Sequence, residues 1–352
     1  MTAKNVFAVL QLPITKDHSD RGLHMGAPEL EHIKIREADS VEIISIVDNT
    51  VDFLSSINKK EVQSFRQWTQ KRYGQEWTKT HSQLPVAEHG FSMLIRVLNE
   101  GESHSILFDT GSSPDGVVEN SARMGLDLKE VECIVLSHGH YDHWGGLLFA
   151  LKAIAKVNLP VIVHKDMFKT RGTTNQNGTV RKYPEFPPQE QLRQANLIET
   201  KEPFEVADGI VLVTGEVPRE TSFEKGYSQH RVLINGSWQP DPWIWDDRAL
   251  VVNVKGKGLV VLSGCAHAGI INTIAYAQKI TGIMNVYAVM GGFHLSGKEN
   301  EKIIEPTVRE LRQINPKLVV PSHCTGWRAM CTMANAMPEA FVWNSVGNLY
   351  KI

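Results

Sequence analysis

The chain has 352 residues, enough for one large domain or two ordinary ones, and its formal net charge is −2. Hydrophobic residues make up 42% of it and charged residues 22%, which is typical of globular proteins that bury a core. This balance gives no electrostatic argument for nucleic acid or an acidic membrane surface as a partner.

The four cysteines are too few for a disulfide framework and form no C-x-x-C pair. They are Cys133, Cys265, Cys324 and Cys331. Reduced thiols in a cytoplasmic protein are the simpler interpretation. The first residues are only briefly apolar, and no run approaches the roughly 20 apolar residues of a spanning helix. We therefore expect a cytoplasmic protein that is not inserted in a membrane.

Regular structure is predicted from residue 41 onwards. Residues 1–40 mix proline and glycine with scattered charges, which indicates an irregular N-terminal extension. The β-branched run 41–47 predicts a strand. Four aromatic residues at helical spacing predict one amphipathic helix over 59–80. Two further strands, 91–98 and 104–108, are expected to pair across a turn.

The remaining chain alternates apolar runs with helical patterns, which indicates an α/β fold. The predicted helices cover 114–124, 147–156, 270–281 and 301–313, and the predicted strands cover 133–137, 161–163, 210–214, 249–254, 259–262, 286–290 and 318–320. Two polar segments rich in proline, glycine and aromatic residues, near 165–200 and 215–247, are expected to be loop insertions in a domain spanning 41–352.

The strongest chemical signal is a cluster of four potential metal ligands, His138, His140, Asp142 and His143, directly after the predicted strand 133–137. Imidazole and carboxylate groups bind zinc, manganese and iron. A short turn can aim His138 and His140 at one ion, whereas the adjacent Asp142 and His143 diverge and can serve a second. Burying these groups without a metal would be costly, so a solvated histidine-rich loop is the weaker interpretation.

A second motif, Asp109-Thr110-Gly111, resembles the catalytic motif of aspartic proteases. Those enzymes need two carboxylates that share a proton. No second Asp-Thr-Gly or Asp-Ser-Gly occurs in the chain, so a protease is disfavoured.

The H-x-H-x-D-H motif after an apolar strand resembles that of the metallo-β-lactamase superfamily, and the similarity extends from about residue 41 to the end. The resemblance implies an αββα sandwich with two divalent metal ions at one edge. Asp109 matches the superfamily's first motif and is expected to support the metal loop by hydrogen bonds. His267 is expected to be a ligand, and His323, which matches the final histidine of the superfamily, is expected to complete the second site.

Several site residues carry more than one interpretation. Cys265 stands where the superfamily has a metal-bridging aspartate; a structural role is favoured over a bridging thiolate, and the bridging ligand stays open. Asp142 is expected to orient the nucleophile as well as ligate. His294 is expected to bind a substrate oxyanion or donate a proton. Arg219 and Lys165 are candidate contacts for an anionic substrate, with ordinary surface charge as the alternative for each.

Three segments, 264–273, 291–295 and 321–326, are similar to the subgroup named for 7,8-dihydropterin-6-methyl-4-(β-D-ribofuranosyl)aminobenzene-5′-phosphate synthase. This resemblance implies an alternative activity, a transferase that releases pyrophosphate in methanopterin-like biosynthesis.

Taken together, these residues predict a metal-dependent hydrolase that uses a metal-activated water on a small phosphoester, lactone or ester. Zinc is the favoured metal, although manganese, iron and nickel suit the same ligands. A redox or sensing di-iron protein is disfavoured, because such relatives have carboxylate-rich sites and a fused flavin domain. A non-catalytic binding role is the last alternative, and the sequence does not indicate an oligomeric state.

Overall fold

The computed structural model describes residues 32–81 and 83–352. Most of the predicted extension, residues 1–31, lies outside the described residues. Within its last part, Glu37–Ala38 already pairs in parallel with Asn253 and Val254, so sheet structure begins slightly before residue 41. None of the described helices is both long and apolar enough to cross a membrane.

The described strands are, in chain order, β1 (Glu37–Ala38), β2 (Ser40–Val47), β3 (Val62–Gln63), β4 (Ser92–Asn99), β5 (Glu102–Phe108), β6 (Cys133–Val135), β7 (Leu159–Val163), β8 (Arg171–Thr174), β9 (Val180–Lys182), β10 (Ala195–Glu199), β11 (Phe204–Val206), β12 (Val211–Val213), β13 (His230–Ile234), β14 (Ser237–Pro240), β15 (Ala249–Val254), β16 (Gly258–Ser263), β17 (Val286–Gly292), β18 (Leu318–Ser322) and β19 (Leu349–Lys351). The described α-helices are α1 (Phe65–Tyr73), α2 (Gln75–Thr80), α3 (Gly116–Arg123), α4 (Tyr141–Trp144), α5 (Leu147–Ile154), α6 (Ile270–Thr281), α7 (Ile304–Ile314) and α8 (Trp327–Ala336).

Two large sheets form the centre of the fold. One has the strand order β10-β7-β6-β5-β4-β2-β19-β3. The other has the order β11-β12-β15-β16-β17-β18, with β1 also paired to β15. In the second sheet β16, β17 and β18 are parallel, so the loops at their carboxyl ends emerge at one edge. This edge is where sheets of this kind place their sites.

The strands alternate their buried side chains between two cores, as expected for sheets covered on both faces. In β2, Ile43 belongs to the core between the two sheets and Ile44 to the core under the helices. In β16, Val260 belongs to the same inter-sheet core, whereas Val261 packs with residues of α6, α7 and α8. Helices therefore lie outside both sheets, and the predicted αββα sandwich is confirmed.

The two predicted insertions contain a third, small sheet. This four-stranded sheet has the order β14-β13-β8-β9, and β13 pairs antiparallel with β8. Its strands come from the segments predicted as loops near 165–200 and 215–247. The end of the first segment instead forms β10, which pairs with β7 in the large sheet. The sequence pattern did not predict these strands, because each strand is short and its exposed side chains are largely polar.

The single helix predicted over 59–80 is divided into two. Residues 62–63 form the strand β3, and α1 and α2 are separated by Gly74, whose φ is 88°. Glycine adopts this left-handed conformation at low cost, so the break is set by one residue. The aromatic residues still pack as expected: Trp68 is 1% exposed and its Nε1–H donates to the Gly347 carbonyl at 2.6 Å.

Candidate metal centre

The potential ligands all follow the carboxyl end of a strand, or lie in the short helix after it. His138 and His140 follow β6, Asp142 and His143 lie in α4, Cys265 and His267 follow β16, His294 follows β17, and His323 follows β18. Parallel pairing of the last three strands brings residues from distant parts of the chain to the same edge.

Three imidazoles converge in a first cluster, formed by His138, His140 and His267. His138 Nε2 lies 3.0 Å from His140 Nδ1 and 3.2 Å from His267 Nε2. In a tetrahedral zinc site with bonds of about 2.0–2.1 Å, ligand nitrogens are roughly 3.3 Å apart. Burial and the neighbouring imidazoles hold the pKa of all three rings well below the ordinary value. The rings are therefore neutral, which is the form that binds a metal.

A second cluster adjoins the first and contains His143, Cys265, Asp142 and His323. His143 Nε2 lies 3.1 Å from Cys265 Sγ, and Asp142 Oδ2 lies 3.3 Å from His323 Nε2. Although burial opposes it, the Asp142 carboxylate raises the pKa of His323 to about 9. A carboxylate that stabilises a proton on a buried imidazole in this way would also stabilise a metal cation bound where that proton lies. The donor set therefore fits a divalent metal ion.

The thiol of Cys265 lies between the two clusters. Its sulfur is within 4.8 Å of ligand nitrogens in His138 and His143, and it forms a second such group with His267 and His294. This position is compatible with a thiolate ligand as well as with the structural role favoured from the sequence.

Asp109 lies behind the ligands and is fully buried. Its Oδ1 accepts the Ser137 backbone N–H at 2.7 Å, and its Oδ2 accepts the Ser137 hydroxyl at 2.7 Å. His143 Nδ1 donates to the same Oδ2 at 2.6 Å, which leaves His143 Nε2 facing Cys265. A partner of this kind fixes the tautomer and orientation of a metal-binding histidine.

Replacing Gly264 with alanine is expected to weaken metal binding. An added Cβ would lie 2.1 Å from Ser137 Oγ and 2.8 Å from Asp109 Oδ2, so this support must move. We expect a loss of about 1–3 kcal/mol in unfolding free energy, together with roughly 10–100-fold weaker metal binding, measured by denaturant unfolding and chelator competition. Gly236→Ala is the control for metal affinity and not for stability, because its new Cβ meets no atom within 4 Å but its φ of 78° is strained for alanine. Equal metal affinity in Gly264→Ala and wild type would contradict the prediction.

A cavity of about 910 Å³ opens onto the two clusters. Its lining includes Asp142 and His294, and the Nδ1 of His294 has no hydrogen-bond partner in the described part of the chain. The other polar and aromatic lining side chains include Arg181, Lys298, Tyr141, Tyr183, Tyr227, Trp327 and Trp343. The cavity thus combines flat aromatic surfaces with two cationic groups.

The two predicted anion contacts do not line this cavity. The Arg219 guanidinium donates to the Trp243 carbonyl at 2.5 Å and lies 4.9 Å from the Trp245 ring centre. Lys165 is exposed on a short 3-10 helix. Arg181, a residue of the β8–β9 hairpin, is the arginine that the cavity presents instead.

Three further residues join the site without having been singled out from the sequence. His89 Nε2 lies 3.4 Å from Asp142 Oδ2, and His230 Nε2 lies 3.0 Å from His140 Nε2. Cys324 forms a group with Cys265 and His323 whose ligand atoms are within 4.8 Å of one another. Adjacency to His323 could have indicated Cys324, whereas the two histidines lie in segments without a recognisable pattern.

Comparison with known proteins gives relatives over most of the chain. A model of the metallo-β-lactamase superfamily matches residues 85–323. A 7,8-dihydropterin-6-methyl-4-(β-D-ribofuranosyl)-aminobenzene-5′-phosphate synthase of Methanocaldococcus jannaschii is 32% identical over 274 residues, covering 75% of this chain and 90% of the relative. An uncharacterized protein of the same organism is also 32% identical, over 76% of this chain and 94% of its own length.

Among solved structures, Tm1679, described as a metal-dependent hydrolase of the β-lactamase superfamily, superimposes with a TM-score of 0.64 at 25% identity. The match covers 89% of this chain and 98% of that protein. Both the superfamily and the similarity to the synthase subgroup, expected from the sequence motifs, are confirmed. The chain belongs to the metallo-β-lactamase superfamily.

Proposed function

We propose that this protein is a metal-dependent hydrolase acting on a small, anionic phosphoester, lactone or ester. The observation that carries the proposal is the pair of adjacent ligand clusters at the base of an open cavity. The first cluster has three neutral imidazoles, and the second adds a carboxylate and a thiol. This arrangement supports two divalent ions, with zinc favoured because imidazole and thiolate ligands both suit it.

His138, His140 and His267 would hold the first ion, and Asp142, His143 and His323 the second. Cys265 lies where its sulfur can reach either ion. Ions bound there would lower the pKa of water towards neutrality and stabilise the negative charge that develops on the substrate.

The side chains around the ligands define the rest of the chemistry. Asp142 lines the cavity, and its carboxylate can accept a hydrogen bond from an attacking water, which would fix the direction of attack. His294 lines the same cavity, so its imidazole is the candidate for donating a proton to a leaving oxygen. Arg181 and Lys298 can hold an anionic substrate group by charge.

The synthase activity is the second candidate. It is favoured by the 32% identity to a protein named as that synthase, and by a cavity that offers tyrosine and tryptophan faces for a flat ring beside two cations. In that case the same ligand clusters would act on a pyrophosphate leaving group, and His294 would protonate the departing oxygen.

One experiment separates these possibilities. The protein is purified without chelator, analysed for transition metals, and assayed on an aryl phosphodiester, a lactone, and a dihydropterin pyrophosphate with a ribofuranosyl-aminobenzene phosphate. We expect about two ions per chain and turnover of an ester or lactone that is lost on chelation and restored by zinc. His140→Ala should lose the activity, whereas His104→Ala, which removes a histidine that is paired with Glu132, belongs to neither ligand cluster and does not line the cavity, should keep it.

Fewer than about one transition ion per chain would count against a metalloenzyme. Release of pyrophosphate without hydrolysis of any ester or lactone would replace the hydrolase by the synthase. Loss of every activity in the metal-loaded protein would leave a non-catalytic binding role and contradict both enzymes.

A further inference from the structure

His140 uses its two ring nitrogens in different directions. Nδ1 faces His138 Nε2 in the first ligand cluster, at 3.0 Å. Nε2 points away from the cluster, towards Nε2 of His230 at 3.0 Å. His230 belongs to β13 of the small sheet, and its side chain is completely buried. His140 therefore links the ligand cluster to an element outside the αββα sandwich.

The protons of these two rings can be assigned from their contacts. A neutral His140 that ligates through Nδ1 carries its proton on Nε2. That N–H can donate to His230 Nε2 only if this nitrogen is unprotonated. The proton of His230 then lies on Nδ1, which is 2.8 Å from the Asp241 carbonyl oxygen, an acceptor. One tautomer of each ring satisfies both hydrogen bonds.

We propose that His230 is a positioning residue that fixes the ring orientation and tautomer of His140, so that the small sheet sets the metal affinity of the first cluster. The inference rests on the metal centre of the proposed function. A direct contact of His230 with substrate is opposed by its complete burial and by its absence from the cavity lining. Asp109 supports His143 in the same way, but His230 lies 90 residues after His140 in the chain.

The test compares His230→Leu with His230→Gln in the whole protein. Leucine cannot accept the His140 N–H, whereas glutamine Oε1 can. We expect His230→Leu to bind the first ion roughly 10–100-fold more weakly in chelator competition, to shift the visible spectrum of the cobalt-substituted protein, and to leave the second ion in place. His230→Gln should recover most of the affinity and the spectrum. Ile234→Ala, an exposed position on the same strand, is the control for a general effect on the sheet.

Tautomers provide a measurement that does not depend on the variants folding. Nitrogen-15 NMR of the zinc-loaded wild type should find the proton of His140 on Nε2 and that of His230 on Nδ1. The opposite tautomer of either ring, or unchanged affinity and cobalt spectrum in a folded His230→Leu, would overturn the inference alone. A wild-type protein that binds no ion would instead overturn the proposed function, and the inference with it.

Discussion

Replacing Asp142 with asparagine is expected to lower kcat/KM by roughly 10²–10⁴-fold while the protein stays folded. The side chain combines two tasks, because its Oδ2 lies 3.3 Å from His323 Nε2 in the second cluster and the residue also lines the cavity. Burial alone would raise the pKa of this carboxyl, but His143 and His323 hold it well below its ordinary value, so the native group is an anion. Asparagine keeps the shape and removes the charge.

The backbone at Asp142 should survive this change, since its carbonyl accepts the Phe91 N–H regardless of the side chain. Steady-state kinetics, metal analysis and thermal unfolding are measured on the same preparation. Asp115→Asn is the matched control, because Asp115 is exposed and its side chain makes no capping hydrogen bond. Activity within about tenfold of wild type would contradict the assignment, because a nucleophile-orienting carboxylate contributes more than this. Lost activity with both ions retained would assign Asp142 to orientation rather than to ligation.

The candidate ligands that the sequence indicated most directly are those that lie close together in the chain. His138, His140, Asp142 and His143 fall within six residues directly after a buried strand, so their proximity is a property of one turn. His267 could be added because it follows its own apolar strand, and His323, which also follows one, because it matches the final histidine of the superfamily. Strands of this kind are parallel neighbours in the sheet, with β16 and β18 on either side of β17.

What the sequence could not predict depends on contacts between distant segments. His230 meets His140 because β13 pairs with β8, and neither strand has the alternating apolar pattern that reveals a half-buried strand. The sequence favours a structural role for Cys265, and only the folded chain locates its sulfur 3.1 Å from His143 Nε2, where a role as a ligand is also possible.

The positive charge of an arginine also did not indicate which groups its side chain contacts in the folded chain. Arg219 and Arg181 have the same side chain and lie in the two predicted insertions, but one is held by backbone carbonyls and the other lines the cavity. A long, flexible arginine side chain can point in several directions from one backbone position, so the surrounding fold decides which groups it contacts.

Arg171 and Asp246 form the contact for which we expect the largest effect on stability. Arg171, on β8, donates from Nη1 to Asp246 Oδ2 at 2.8 Å and from Nη2 to Oδ1 at 2.5 Å. Asp246 Oδ2 also accepts the backbone N–H of Gly139, between His138 and His140, at 2.7 Å. Both charged side chains are nearly inaccessible to solvent. The pair therefore ties the small sheet to the turn that carries the first ligands.

Asp246→Asn is expected to lower the free energy of unfolding by about 3–5 kcal/mol, because the buried Arg171 cation would lose its two-pronged partner and keep only the Asp241 carboxylate, 3.8 Å from its Nε. Denaturant unfolding measures the loss, and Glu76→Gln in the exposed Glu76–Lys79 pair is the control with no measurable change expected. Arg171→Met combined with Asp246→Leu should recover part of the stability, since the Arg171 cation is removed together with its partner, whereas the buried Arg248 guanidinium still loses the nearby Asp246 charge. The double variant should still bind metal more weakly than wild type, because the Gly139 N–H has lost its acceptor. Wild-type metal affinity in a stable double variant would show that the pair supports the fold but not the ligand turn.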